Sequence, residues 1–243
     1  MSRTILTAFT LLILTQICFS QNANVYSKNQ IEKQRSIYKI NKVKTEIIYS
    51  DKNSKEVTSY DKEGKPIESV YFYDNNISGG VLYTYDMNGN LIEDVYGGAE
   101  SGDVMTNRYY YDESGNVIAS EYLMGLEESG YKINYKYDDF GNLILKGDIG
   151  IQNIYEKGNL ISSVEECIPN STRPEFKKFT YDIINNLILY EVFNKNCTGD
   201  STFFLSKNRY EYFENGLKSK ETFESSYTEG MEVLNYEYQY FKK

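Results

Sequence analysis

A chain of 243 residues that carries 25 tyrosines but neither histidine nor tryptophan has a narrow chemical repertoire. Lacking histidine, it excludes Ser–His and Cys–His nucleophile pairs and most zinc sites, and no P-loop or dinucleotide-binding glycine pattern occurs. A formal charge of −9 disfavours nucleic acid and anionic membranes as partners, and no cofactor is expected.

Residues 1 to about 20 read as a secretory signal peptide. Arg3 supplies the positive start, Ile5 to Leu14 is largely apolar, and Cys18-Phe19-Ser20 places small residues before a cut ahead of Gln21. The apolar run is short for a transmembrane helix. Two alternatives stay open: acylation at Cys18, against which the bulk of Ile17 argues, and retention of the leader as an anchor. Export predicts a secreted or cell-surface protein with no membrane insertion after signal cleavage.

Residues 21–44 form a polar, lysine-rich lead-in, with a first strand expected near Ile37 to Ile40. Thr45 to Tyr49 and Glu56 to Tyr60 read as an irregular opening hairpin. From Tyr60 onward one unit recurs, seen most cleanly at Tyr137-Asp138-Asp139-Phe140-Gly141-Asn142-Leu143-Ile144 and again from Tyr85 and Tyr111. Its leading tyrosines are residues 60, 85, 111, 137, 155, 181, 212 and 238, at steps of 25, 26, 26, 18, 26, 31 and 26. A period of this size marks an array in which each unit leans on its neighbours.

Aspartate at the first turn position and glycine at a left-handed one predict a hairpin with a three-residue, bulged loop. That register sets Tyr85 opposite Leu91, Tyr111 opposite Val117, Tyr137 opposite Leu143 and Tyr181 opposite Leu187. The copy at Tyr155 is one residue shorter, and a two-residue Lys157-Gly158 turn restores Tyr155 to Leu160. At Asn215-Gly216 the register stays open. Pro66 cannot donate to a ladder, so its segment is expected near a sheet edge.

Longer loops are expected at 75–80, 97–103, 125–130, 166–174, 194–201 and 225–230, and no segment shows a helical period. The fold class is therefore all-β, an antiparallel meander of fourteen to sixteen strands over residues 45–243. A sheet of that many strands is expected to coil into a barrel-like curl or spiral. Cys167 and Cys197 fall in loops at the same end of the meander, and an exported chain favours a disulfide between them, worth roughly 3–4 kcal/mol.

The recurring Tyr-Asp-x-x-Gly-Asn-Leu-Ile resembles the YD repeats of bacterial Rhs proteins over about residues 49–243. The resemblance implies hairpins wound into a spiral sheet, which in that family often forms a shell around a C-terminal toxin, and carbohydrate binding is also associated with such repeats. The copies here are too few to close a large shell and no further domain is expected after the last one, which argues against a toxin-enclosing role.

Carboxylates are the remaining acid–base groups, and Glu127-Glu128 and Glu165-Glu166 read more simply as solvated charges than as a glycosidase pair. Asp86, Asp112, Asp138 and Asp182 read as turn caps, because calcium needs six to eight oxygens converging on one point. Tyr83/Tyr85, Tyr109/Tyr111 and Tyr135/Tyr137 alternate so that each pair shares a strand face. The first reading is packing on Leu91, Val117 and Leu143; the second is a ligand-binding aromatic strip, with Tyr110, Tyr122 and Tyr190 on the opposite face as competitors. Asn76, Asn170 and Asn196 lie in glycosylation sequons, and a bacterial-type leader argues against ordinary N-glycosylation there. The expectation is a non-enzymatic binding module for carbohydrate or another surface protein, with an accessory or remnant of an Rhs-type toxin system and a carboxylate-based glycoside hydrolase as alternatives.

Overall fold

The units bend where aspartate and glycine direct the bend. In the computed structural model, which describes residues 28–99, 104–125, 130–139, 142–157, 159–165, 174–195, 202–227 and 230–242, the Asp-x-x-x-Asn corners are closed by one set of bonds. At Asp86 the backbone amide donates to Asn90 O (2.9 Å), and Gly89 N donates back to Asp86 O (3.0 Å). The carboxylate then accepts from the Asn90 amide (2.8 Å) and the Asn90 side chain (2.9 Å). Gly89 sits at φ 85°, a left-handed value that costs a residue with a Cβ free energy. Asp112, Asp138 and Asp182 make the same carboxylate bonds, and in the last corner Asn185 takes the left-handed seat at φ 65°.

The expected registers hold: Tyr85 faces Leu91, Tyr111 faces Val117, Tyr137 faces Leu143, Tyr155 faces Leu160 and Tyr181 faces Leu187. The open register resolves as the same loop, with Phe213 N bonded to Leu217 O (2.8 Å) and Tyr212 opposite Lys218. Backbone bonds and one side-chain acceptor, Asn215 Oδ1 accepting from Leu217 N (3.2 Å), therefore close a corner in which phenylalanine stands where aspartate usually does.

The first eight strands are β1 (Val43–Tyr49), β2 (Ser54–Tyr60), β3 (Pro66–Tyr73), β4 (Asn76–Tyr85), β5 (Leu91–Gly98), β6 (Val104–Tyr111), β7 (Val117–Met124) and β8 (Tyr131–Tyr137). The others are β9 (Leu143–Lys146), β10 (Ile149–Glu156), β11 (Asn159–Glu165), β12 (Glu175–Tyr181), β13 (Leu187–Lys195), β14 (Thr202–Tyr212), β15 (Lys218–Ser225) and β16 (Met231–Tyr240). Each pairs antiparallel with its neighbours in sequence, and β1 pairs with β16 to close a barrel. The Asp-Gly corners gather at one rim, and the remaining connections lie at the other.

Four expectations change. A helix, α1 (Lys28–Asn41), replaces the strand expected near Ile37 to Ile40, and β1 begins only at Val43. The helix is held by what it touches: Tyr38 and Ile37 pack with Val43, Tyr60, Leu217 and Tyr238. Pro66 lies at no edge, since closure leaves none; it opens β3, a position where a missing amide donor is tolerated. Residues 75–80 are mostly strand, because Asp74 and Asn75, at φ 49° and 62°, make a two-residue turn. Finally, Tyr122 and Tyr190 share the face of the repeat tyrosines. A bulge after each corner shifts the alternation by one, so that Tyr122 faces Asn107 and Tyr190 faces Phe179.

α1 lies across the corner rim. Lys33 Nζ reaches Asn185 O, Arg35 Nη1 reaches Gly89 O (3.1 Å) and Asn41 Nδ2 reaches Asn215 O (3.1 Å). A Cβ added at Gly64 would run into Arg35 O, so the β2–β3 corner touches the helix backbone itself. Corners on both sides of the β1–β16 seam are thus tied to one helix. The repeat tyrosines face this helix and the barrel interior, while charged pairs such as Arg108–Glu93 (3.2 Å) and Lys207–Glu191 (3.1 Å) lie on the outer face.

Candidate functional site: the inner wall

A closed sheet of sixteen strands is wide enough to enclose water, and the inner wall here is built for it. The three apolar clusters among the described residues each join side chains of contiguous wall elements: one around α1 and the seam, one over β11–β14, one over β8–β10. Polar groups fill the intervals between them.

From Tyr85 onward, the tyrosine that opens a full-length unit stitches its hairpin to the one before. Its hydroxyl donates to the backbone carbonyl just past the preceding corner: Tyr85 to Pro66 O (2.8 Å), Tyr111 to Leu91 O (2.7 Å) and Tyr137 to Val117 O (2.9 Å). Tyr181, Tyr212 and Tyr238 repeat this with Leu160, Leu187 and Lys218. At the short unit Asn153 Nδ2 takes the equivalent carbonyl, Leu143 O (2.7 Å). Burial drives the phenols of Tyr85, Tyr137, Tyr212 and Tyr238 upward in pKa, and that of Tyr111 to about 12.

A second belt runs two residues earlier. Tyr109 donates to Asp94 (2.7 Å) and Tyr236 to Glu221 (2.8 Å), and Tyr60, itself a leading tyrosine, makes the same kind of bond to Glu46 (2.9 Å). Tyr83 pairs with Ser69 (3.3 Å) and Tyr135 with Ser120 (2.9 Å). All six tyrosines singled out in the sequence therefore line the inner wall, with their hydroxyls engaged in stitches between hairpins. Their partners Ser69, Asp94, Ser120 and Glu221 escaped the sequence reading. The signal was present as a polar residue 14 or 15 positions before each second-belt tyrosine.

Three buried carboxylates anchor this wall. Glu46 accepts from Tyr38 (2.5 Å) as well as Tyr60, so the helix contributes a donor. Asp94 also accepts from Asn107 (2.7 Å), and Glu221 from Asn208 (2.6 Å), with Lys218 Nζ 3.6 Å away. Burial raises the Asp94 carboxyl above its ordinary range despite the Asn107 and Tyr109 bonds that pull it down. Burial, then the Glu46 charge, pushes Tyr38 and Tyr60 well up. Lys146, opposite Tyr135, is pulled below its usual value by burial and then by Lys177, which itself pairs with Glu175 at 2.9 Å.

One polar atom breaks the pattern. Among the described residues the Tyr71 hydroxyl is the buried side-chain group with no hydrogen-bond partner. It lies on the wall opposite Glu56, and its ring is 6.2 Å from that of Tyr96.

The corner aspartates spend their oxygens on their own turns, in keeping with capping. Glu165 accepts the Glu175 amide (3.3 Å); Glu127, Glu128, Glu166, Cys167, Cys197 and residues 1–20 lie outside the described residues.

No family model matches the chain, and no curated protein is significantly similar to it. Among solved structures it is similar to the crystal structure of TcdB2-TccC3, at 15% identity and a TM-score of 0.32 over 76% of this chain and 12% of that one. It thus spans about an eighth of that protein's length. A porin-like protein from Bacteroides uniformis ATCC 8492 is 9% identical with a TM-score of 0.35, over 81% of this chain and 98% of that one. Likenesses at this level add nothing to the strand order and registers described above.

Proposed function

We propose that this chain is an exported, non-enzymatic binding module built from YD-like repeats, which takes a carbohydrate or a segment of another surface protein against the inner wall of its barrel. The observation that carries this reading is the wall itself. An enclosed face of phenol rings, amides and hydrogen-bonded carboxylates offers both stacking surfaces and polar partners, as a saccharide requires. α1 occupies the corner rim, so the opposite rim is the natural entrance. Charged pairs on the outer face support a water-facing wall without membrane insertion, since a lipid-facing barrel needs an apolar band about 25 Å tall. The absence of histidine favours binding over catalysis.

A glycan array followed by calorimetry on the exported chain tests the reading. Saturable binding with the saccharide recovered intact is expected; cleavage of a saccharide without stable binding would overturn it. Peptide maps of the same material, reduced and unreduced, are expected to link Cys167 with Cys197.

A further inference from the structure

Tyr71 keeps a hydroxyl that folding leaves unsatisfied, and the wall beside it is built of glycine. The register aligns Glu56, Tyr71, Gly79 and Gly98 in one row across β2, β3, β4 and β5, all on the inner face. The two glycines contribute no side chains over two strand spacings, roughly 10 Å, and Gly79 is buried beneath Tyr96. One step toward the corners, Tyr96 stands opposite Val81 and leans back over the gap. A Cβ built on Gly79 would lie 3.3 Å from the Tyr96 hydroxyl and 2.8 Å from Gly97 O. The two rings are tilted at 36°, so they converge on the floor without stacking on each other.

An unpaired buried hydroxyl is costly, and removing it outright is often neutral or stabilising. Glycine within a strand marks a bulge, a tight bend, or the close approach of a ligand or another backbone. We infer that the Gly79–Gly98 floor, walled by Tyr71 and Tyr96, is the subsite for a neutral pyranose ring, with the Tyr71 hydroxyl and the Glu56 carboxylate pairing with sugar hydroxyls. This inference rests on the binding reading above and gives it a location and a ligand class.

The neighbours decide the class. Glu56 and Asp94 are the nearby charged groups that act on Tyr71, and both are acidic, which disfavours an anionic sugar. A quaternary ammonium suits aromatic rings and acids, but it would leave the Tyr71 hydroxyl unpaired. A ring with hydroxyls at its edge and C–H groups on its face satisfies all of these groups. Entry requires Tyr96 to swing off Gly79.

The test pairs Tyr71→Phe with Tyr110→Phe, an outer-face control. Titrations of the full chain use cellotriose, xylotriose, maltotriose and chitotriose, with a glucuronic acid trimer and tetramethylammonium for contrast. Tyr71→Phe is expected to bind the preferred neutral trimer about tenfold more weakly while the unliganded variant melts about 2–4 °C higher. Tyr110→Phe should bind as wild type. Equal binding by Tyr71→Phe and wild type overturns the subsite alone. A lower melting temperature for unliganded Tyr71→Phe also overturns it, because the hydroxyl would then have a partner in the fold. Tight binding of the acidic trimer or tetramethylammonium in place of the neutral ones overturns the ligand class. Failure of the wild type to bind any of the neutral trimers removes the subsite, and failure across the wider array removes the binding reading with it.

Discussion

The corner tyrosines act at a distance that no single hairpin spans. Tyr111 belongs to the unit that begins with it, yet its hydroxyl satisfies Leu91 O of the unit before. Tyr111→Phe leaves that carbonyl without its donor and should cost about 1–2 kcal/mol in urea unfolding. Tyr110→Phe, whose exposed hydroxyl meets Glu121 at 3.0 Å, should change stability by less than about 0.5 kcal/mol. A comparable loss in both variants would show that the stitch adds nothing beyond ring packing. The corner chemistry was readable from sequence because aspartate and glycine act within five residues. The stitches were not, since their acceptors lie about 20 residues away and include backbone carbonyls that no side chain announces.

At the scale of elements, hairpins and helix differ in how they were written. Cross-strand registers follow from loop length, so they could be read in advance. α1 offers few apolar positions, and Ile40 among them is 77% exposed, so no amphipathic period stands out. Its helical state is fixed by corner carbonyls and by Tyr38, 4% exposed against Tyr60 at a ring separation of 4.7 Å. Tyr38→Ala should therefore cost about 3–5 kcal/mol. Hydrogen exchange should quicken in β1, β2 and β16 while β6 to β9 keep their protection. Uniform loss of protection around the ring would mean that the helix supports the whole barrel and not the seam. The bulges carry the other lesson of this scale. One extra residue after a corner turned Tyr122 and Tyr190 inward, a shift that strict alternation along a strand cannot anticipate.

The whole molecule depends on the pairing of its first and last strands, from Val43 with Tyr240 to Tyr49 with Asn235. Ending the chain at Gly230 removes β16 and exposes two unpaired edges on β1 and β15. Open edges of that length recruit other chains, so size-exclusion chromatography should find the shortened chain associated. A monomer with native circular dichroism would show that the ring does not need its seam.

Closure also changes what a repeat can do in descent. In an open stack, one more unit lengthens the structure and leaves the rest alone. Here an added hairpin would widen the circumference, while Asn185 and Gly89 are reached from a single turn of α1, by Lys33 and Arg35, which would no longer span both. The helix thus works as a fixed gauge: duplication of a unit must be matched by a longer span across the rim, or one side of the mouth comes loose.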